Sequence, residues 1–154
     1  MENRVKEQKN DDHVTGGYDA APAVDIRLHQ VGMDEIWNLF LHLHVQLLQK
    51  VVFIEYKDGP PRGDNFVVRY KSDEQPALKP HDDESKYTLN IALNRHGIDY
   101  EGGYCRFFRY NCSLIDSKVG WMLLHPGGFI HYHEGLPTTK GTRYLQVTLV
   151  DPME

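Results

Sequence analysis

The sequence predicts a mainly β domain, a sandwich, barrel or jelly roll, with one helix near the N-terminus. Three observations carry this. Short stretches of β-forming residues follow one another from Phe66 to Val150, separated by glycine and proline turns. The 9 Tyr, 6 Phe and 13 Gly suit strands and tight turns. Only one stretch has helical periodicity, and no alternation of strands with helices suggests a parallel sheet.

Taken in order, residues 1–15 are charged and lack apolar periodicity, so a flexible lead-in is expected there and a folded domain over 16–154. Val24–Gln30 alternates apolar and polar residues, the pattern of a strand with one buried face. Met33–Val52 places Ile36, Trp37, Phe40, Leu41, Leu43, Leu47 and Leu48 at helical spacing, with Asp34 and Glu35 in the first turn. A turn is expected over 58–65, a strand at Phe66–Tyr70, and a polar loop at Lys71–Ser85. Strands follow at Tyr87–Leu93, Tyr104–Tyr110, Gly120–Leu124, Phe129–His133 and Arg143–Val150.

At 154 residues the chain suits one domain with its own core. Its 17 Lys and Arg against 22 Asp and Glu give a net charge of −5, the reverse of what a general nucleic-acid binder carries. No apolar run reaches the ~18–20 residues of a transmembrane helix. The first ten residues hold no apolar core of a signal peptide, so the expectation is either a cytosolic protein or a domain excised from a longer secretory chain.

His81-Asp82-Asp83 places a histidine and a carboxylate two residues apart, so an extended backbone turns both to one side. A later run, Phe129-Ile-His-Tyr-His-Glu134, supplies a second histidine. Two imidazoles and a carboxylate on one face of an octahedral ion leave three positions open, as in non-haem Fe(II) oxygenases. Arg143 opens a strand in which Leu145, Val147 and Leu149 share its face. A guanidinium on an apolar face requires an anion, either an acidic residue of the domain or the carboxylate of a ligand. This order of motifs fits iron- and 2-oxoglutarate-dependent dioxygenases. His42 and His44 lie two apart on the helix, face different sides and are not expected to share an ion.

Longer motifs add a resemblance. Asn65-Phe-Val-Val-Arg-Tyr-Lys-Ser-Asp-Glu-Gln-Pro76, Leu89-Asn-Ile-Ala-Leu-Asn94, Asp99-Tyr-Glu-Gly-Gly103 and His131-Tyr-His-Glu-Gly-Leu-Pro-Thr-Thr139 closely resemble the C-terminal catalytic domain of the procollagen lysyl hydroxylases. The resemblance runs from about Gly16 to Pro152. It implies a double-stranded β-helix (jelly-roll) core with the helix packed outside. It also implies 5-hydroxylation of peptidyl lysine in collagen-like X-Lys-Gly sequences, with release of succinate and CO2. Fe(2+), 2-oxoglutarate and L-ascorbate are the cofactors it implies, with a collagen substrate, a homodimer and the endoplasmic reticulum lumen.

Carried over by position, His81 and Asp83 match the first two iron ligands. The family's third ligand precedes its 2-oxoglutarate arginine by ten residues; with Arg143 as that arginine, His133 is selected. His131 and His133 are expected to share a strand face, so side-chain direction does not choose between them. His125, before Pro126 at a turn, reads as structural. Tyr70 and Asn90 match positions that bind 2-oxoglutarate. Two departures stand out: His13 lies near where the family has a basic residue at the cosubstrate pocket, and Asp82 fills the centre of the HxD motif, pointing away from the metal. Lys71–Glu74 and Asp82–Glu84 read as loop charges that could also attract a cationic lysyl peptide. The family's secretory setting favours a Cys105–Cys112 disulfide over two thiols. The alternatives are a dioxygenase of the same fold with another substrate, and a jelly-roll binding module without metal.

Overall fold

The computed structural model describes residues 24–52, 63–115 and 118–150. The expected lead-in, the contact at His13 and most of the expected turn over 58–65 lie outside these residues. The strands are β1 (Val24–Arg27), β2 (Gly63–Lys71), β3 (Leu78–His81), β4 (Tyr87–Ala92), β5 (Tyr100–Gly102), β6 (Cys105–Phe107), β7 (Cys112–Leu114), β8 (Met122–Pro126), β9 (His133–Gly135) and β10 (Thr138–Val150). One sheet has the order β1-β2-β10-β4-β8, with β5 also on β10; the other has the order β3-β9-β6-β7. All named ladders are antiparallel. The expected jelly roll with an outside helix is therefore observed.

The alternation of β4 explains how both faces of the larger sheet are used. Tyr87, Leu89 and Ile91 face the helix and pack with Leu41, Val45 and Val150. Thr88, Asn90 and Ala92 face the opposite way and line a cavity between the sheets. On that inner side Val68, Tyr70, Ala92, Leu145 and Val147 form a second apolar cluster.

The helix differs in detail from the expected stripe. It consists of α1 (Asp34–Phe40) and α2 (Gln46–Val52), joined by a π-helical stretch at Leu41–Val45. Leu41, Val45 and Gln49, spaced four apart, are the residues buried, and Trp37 and Phe40 pack beside them. Ile36, Leu43, Leu47 and Leu48 are exposed instead. Trp37 donates its indole N–H to Thr148 Oγ1 at 2.9 Å, and Tyr87 donates its hydroxyl to Gln49 Oε1 at 2.9 Å, so the helix is tied to the sheet by polar contacts as well.

Four further expectations are corrected. β1 ends at Arg27, and Leu28–Val31 is a 3₁₀ turn closed by Gly32 at φ 70°. The loop expected over Lys71–Ser85 contains β3, which finds its partner β9 some fifty residues later. The strand expected at Tyr104–Tyr110 is a hairpin, with β6 and β7 turning at 108–111. Its register sets Cys105 opposite Leu114 and Cys112 opposite Phe107, so the cysteines are diagonal neighbours and no disulfide joins them. Among the described residues no helix is long and apolar enough to cross a membrane.

Candidate metal centre and cosubstrate cavity

Two segments bring the predicted ligands together. His81 ends β3 and stands directly opposite His133, the first residue of β9. Asp83 follows two residues later, as the chain leaves the sheet. The turn before β9 closes the site from behind: the Gly128 amide donates to the Asp83 carbonyl at 2.8 Å and the Gly127 amide to that of Lys86 at 3.1 Å. A Cβ at Gly127 would lie 2.1 Å from the Ser85 carbonyl oxygen, and Gly128 has φ 80°, so glycine is required at both positions.

This turn also separates the two late histidines. Phe129–His131 is a 3₁₀ turn rather than part of a strand. The expectation that His131 and His133 share a strand face is thus overturned. His131 Nδ1 meets the Tyr110 hydroxyl at 3.2 Å on an exposed surface, while the His133 ring is buried against Phe107 and His81. His125 is likewise not at a turn. It lies inside β8, opposite Thr88, and is buried.

His81, Asp83 and His133 each offer a donor atom within 4.8 Å of the others, the one such group among the described residues. His81 Nε2 lies 3.5 Å from Asp83 Oδ1 and His133 Nε2 lies 3.7 Å from Asp83 Oδ2. The Nδ1 atoms are occupied: that of His81 donates to the Lys79 carbonyl at 2.8 Å, and that of His133 to the His131 carbonyl at 3.0 Å. Both imidazoles are therefore held with Nε2 free to ligate, the outer support that metal histidines use. Thr88 donates its hydroxyl to Asp83 Oδ2 and fixes the carboxylate.

The electrostatics suit a cation. Burial alone would raise the Asp83 carboxyl; the hydrogen bond from His81, the charge of His133 and the Thr88 hydroxyl outweigh it and hold it at about 2. Burial lowers the His133 imidazole against the pull of Asp83 and so disfavours its protonated form. Burial also opposes protonation of His81, but its hydrogen bonds to Asp83 and the Lys79 carbonyl and the charges of Asp83 and Asp82 together outweigh it and raise it. An ionised carboxylate and two oriented imidazoles fit the two-histidine, one-carboxylate facial set of non-haem iron.

The triad opens into a cavity of about 640 Å³ lined by both sheets. Val68, Ala92, Leu145 and Val147 make its wall apolar, and Arg143, Tyr70 and Asn90 contribute polar groups. Arg143 is only 3% exposed and lies opposite Tyr70 in the β2–β10 ladder, its guanidinium carbon 5.6 Å from the Tyr70 ring centre. Gly103, at φ 73°, lets the arginine pass: a Cβ there would be 2.8 Å from Arg143 Cδ. Asp82, expected to point away from the metal, lines this cavity, as do Asp25 and Glu84. The Lys71–Glu74 charges are instead a surface turn in which Lys71 Nζ meets Glu74 Oε1 at 2.8 Å and Asp73 Oδ1 at 3.2 Å. His42 and His44 lie on the helix, outside the triad.

Thr88 and Phe107 escaped the sequence reading. Thr88 shares the strand parity of Asn90, which was the available signal; Phe107 is placed by hairpin register, and no local pattern announces that.

A fold of this kind around such a triad defines a non-haem iron oxygenase, and the comparisons agree. Residues 51–152 match the 2OG-Fe(II) oxygenase superfamily, to which this chain belongs. The chain is 55% identical over 144 residues to procollagen-lysine,2-oxoglutarate 5-dioxygenase of Drosophila melanogaster, covering 93% of the chain and 20% of that protein. It is 51% identical over 142 residues to procollagen-lysine,2-oxoglutarate 5-dioxygenase 1 of Homo sapiens, covering 92% and 20%. The chain thus spans about one-fifth of the length of these relatives. Among solved structures, a viral collagen prolyl hydroxylase from Paramecium bursaria Chlorella virus-1 superposes with TM-score 0.61 at 15% identity, over 86% of this chain and 80% of that one. A prolyl 4-hydroxylase from Phytophthora capsici gives 0.62 at 17% identity, over 83% and 47%. These two likenesses speak to the fold.

Proposed function

We propose that this domain is a lysyl hydroxylase that inserts one oxygen atom at C5 of a peptidyl lysine, using Fe(2+), O2 and 2-oxoglutarate. The observation that carries the reading is the His81–Asp83–His133 triad at a cavity that also holds the buried Arg143. The relatives' names supply the substrate class, procollagen lysine, and a collagen-like X-Lys-Gly context is part of the proposal. In the balanced reaction peptidyl lysine, O2 and 2-oxoglutarate give hydroxylysine, succinate and CO2.

His81, Asp83 and His133 would hold the iron. Bound there, iron supplies the oxygen-activating redox chemistry that protein side chains lack. The chain's own residues do the rest. Lys79 and His131 carbonyls fix both imidazole tautomers, and Thr88 fixes the carboxylate. Arg143 receives the distal carboxylate of 2-oxoglutarate through its planar fork, with Tyr70 opposite it in the ladder and Asn90 further along the cavity wall. Its apolar neighbours Leu145 and Val147 strengthen that ion pair by excluding water. Asp25, Asp82 and Glu84 favour a cationic lysine side chain at the cavity. L-ascorbate as the reductant that keeps iron ferrous, a homodimeric state and the endoplasmic reticulum lumen complete the proposal.

Mass spectrometry of a collagen-like X-Lys-Gly peptide incubated with the protein, Fe(II), 2-oxoglutarate and ascorbate tests it. Gain of one oxygen on lysine is expected. Succinate release without peptide oxidation would point to another substrate, and neither product would leave a binding module.

A further inference from the structure

His125 is buried, titratable and not part of the triad. Its ring stands edge-on to His133, with centroids 4.9 Å apart, and edge-on to Phe107 at 5.0 Å. Its Nδ1 donates to the Pro126 carbonyl at 3.0 Å, which leaves Nε2 as an acceptor. Asn90 Nδ2 lies 3.4 Å from that Nε2. Asn90 and His125 sit on adjacent strands, and Asn90 lines the cavity.

A carboxamide has two orientations that exchange its oxygen and its NH2 group, and they are nearly equal in shape. A neighbour that can only accept selects the orientation with NH2 towards it. From this we infer that His125 is a positioning residue for the cosubstrate: it fixes the amide orientation of Asn90 through one hydrogen bond and touches neither 2-oxoglutarate nor the metal. The inference rests on the reading that Asn90 contacts 2-oxoglutarate. It assigns a role to a histidine that the metal chemistry leaves unused.

The test uses the whole chain loaded with Mn(II), a redox-silent ion. His125→Phe keeps an aromatic ring against Phe107 and His133 but removes the acceptor. Mn(II) affinity should stay within about twofold, while 2-oxoglutarate affinity, read by calorimetry, should fall roughly fivefold, the equivalent of one neutral hydrogen bond. His125→Gln, whose carbonyl can accept, should recover part of the loss. In the cycle with Asn90→Ala, the double variant should bind no more weakly than Asn90→Ala alone, because both changes remove one interaction. Additive losses, or unchanged 2-oxoglutarate affinity in His125→Phe while Asn90→Ala weakens it, would overturn the role of His125 alone. Unchanged affinity in Asn90→Ala would overturn the cosubstrate reading of Asn90 and this inference with it. Should His125→Phe not fold, His125→Leu gives the same readout with a smaller side chain.

Discussion

His81 and His133 stand directly opposite each other in the β3–β9 ladder, their ring centres 4.4 Å apart, and Asp83 reaches both Nε2 atoms. Pairing across a ladder is what turns a tripeptide motif and a histidine fifty residues later into one donor set. The strands fix the geometry before any ion arrives, so substitutions there should act on metal binding more than on folding.

Arg143→Lys should weaken 2-oxoglutarate binding by about tenfold or more, because lysine keeps the charge and loses the bidentate fork; a charged hydrogen bond is worth ~1.5–3 kcal/mol. Mn(II) affinity and melting temperature should change much less. Calorimetry and a thermal melt on this one variant separate anchoring from a structural ion pair, since the latter would lower the melting temperature and spare 2-oxoglutarate.

Gly103→Ala should damage the same step by a different route. The residue has φ 73°, and the added Cβ would press on Arg143 Cδ at 2.8 Å. A left-handed non-glycine residue costs about 1 kcal/mol or more, so both the melting temperature and 2-oxoglutarate affinity should drop, with the triad intact by Mn(II) titration.

Metal affinity should fall as pH falls. Burial opposes protonation of His81, but its hydrogen bonds to Asp83 and the Lys79 carbonyl and the charges of Asp83 and Asp82 together raise it above its ordinary 6.5, so near and below that pH a proton occupies the nitrogen the metal needs. Binding must release that proton. Asp83, held at about 2, stays ionised through this range and adds no further slope. Mn(II) titrations between pH 8 and 5.5 should show progressive weakening, and His81→Ala should flatten it while lowering affinity at every pH.

Leu41→Ala should lower stability by about 2–5 kcal/mol, because the residue is fully buried between the helix and β4. Chemical denaturation reads the loss. Mn(II) affinity of the folded fraction should be unchanged, since the triad lies on the other face of the sheet.

The candidate site was largely legible in the sequence because its parts are short local patterns: HxD at His81–Asp83, and Arg143 on a strand of alternating apolar residues. What was hidden depends on distant pairing. β3 contains Pro80 and alternates poorly, and only β9 makes it a strand. The 3₁₀ turn that separates His131 from His133 comes from Gly127 and Gly128 packing against Ser85 and Asp83, a tertiary constraint. The cysteines' offset is a matter of hairpin register. On the helix, apolar residues occur on both sides, so periodicity alone could not say that Leu41 and Val45 face the sheet and Leu43 and Leu47 do not.

The central claim is that His81, Asp83 and His133 hold one metal ion, and the choice of His133 over His131 tests it most directly. Electron paramagnetic resonance of Mn(II) titrated into the protein reads free against bound ion. One ion per chain is expected for the unaltered protein and for His131→Ala, and loss of that binding for His133→Ala, because two remaining ligands leave a weak, wrongly shaped site. Normal Mn(II) binding by His133→Ala, or its loss in His131→Ala, would contradict the account.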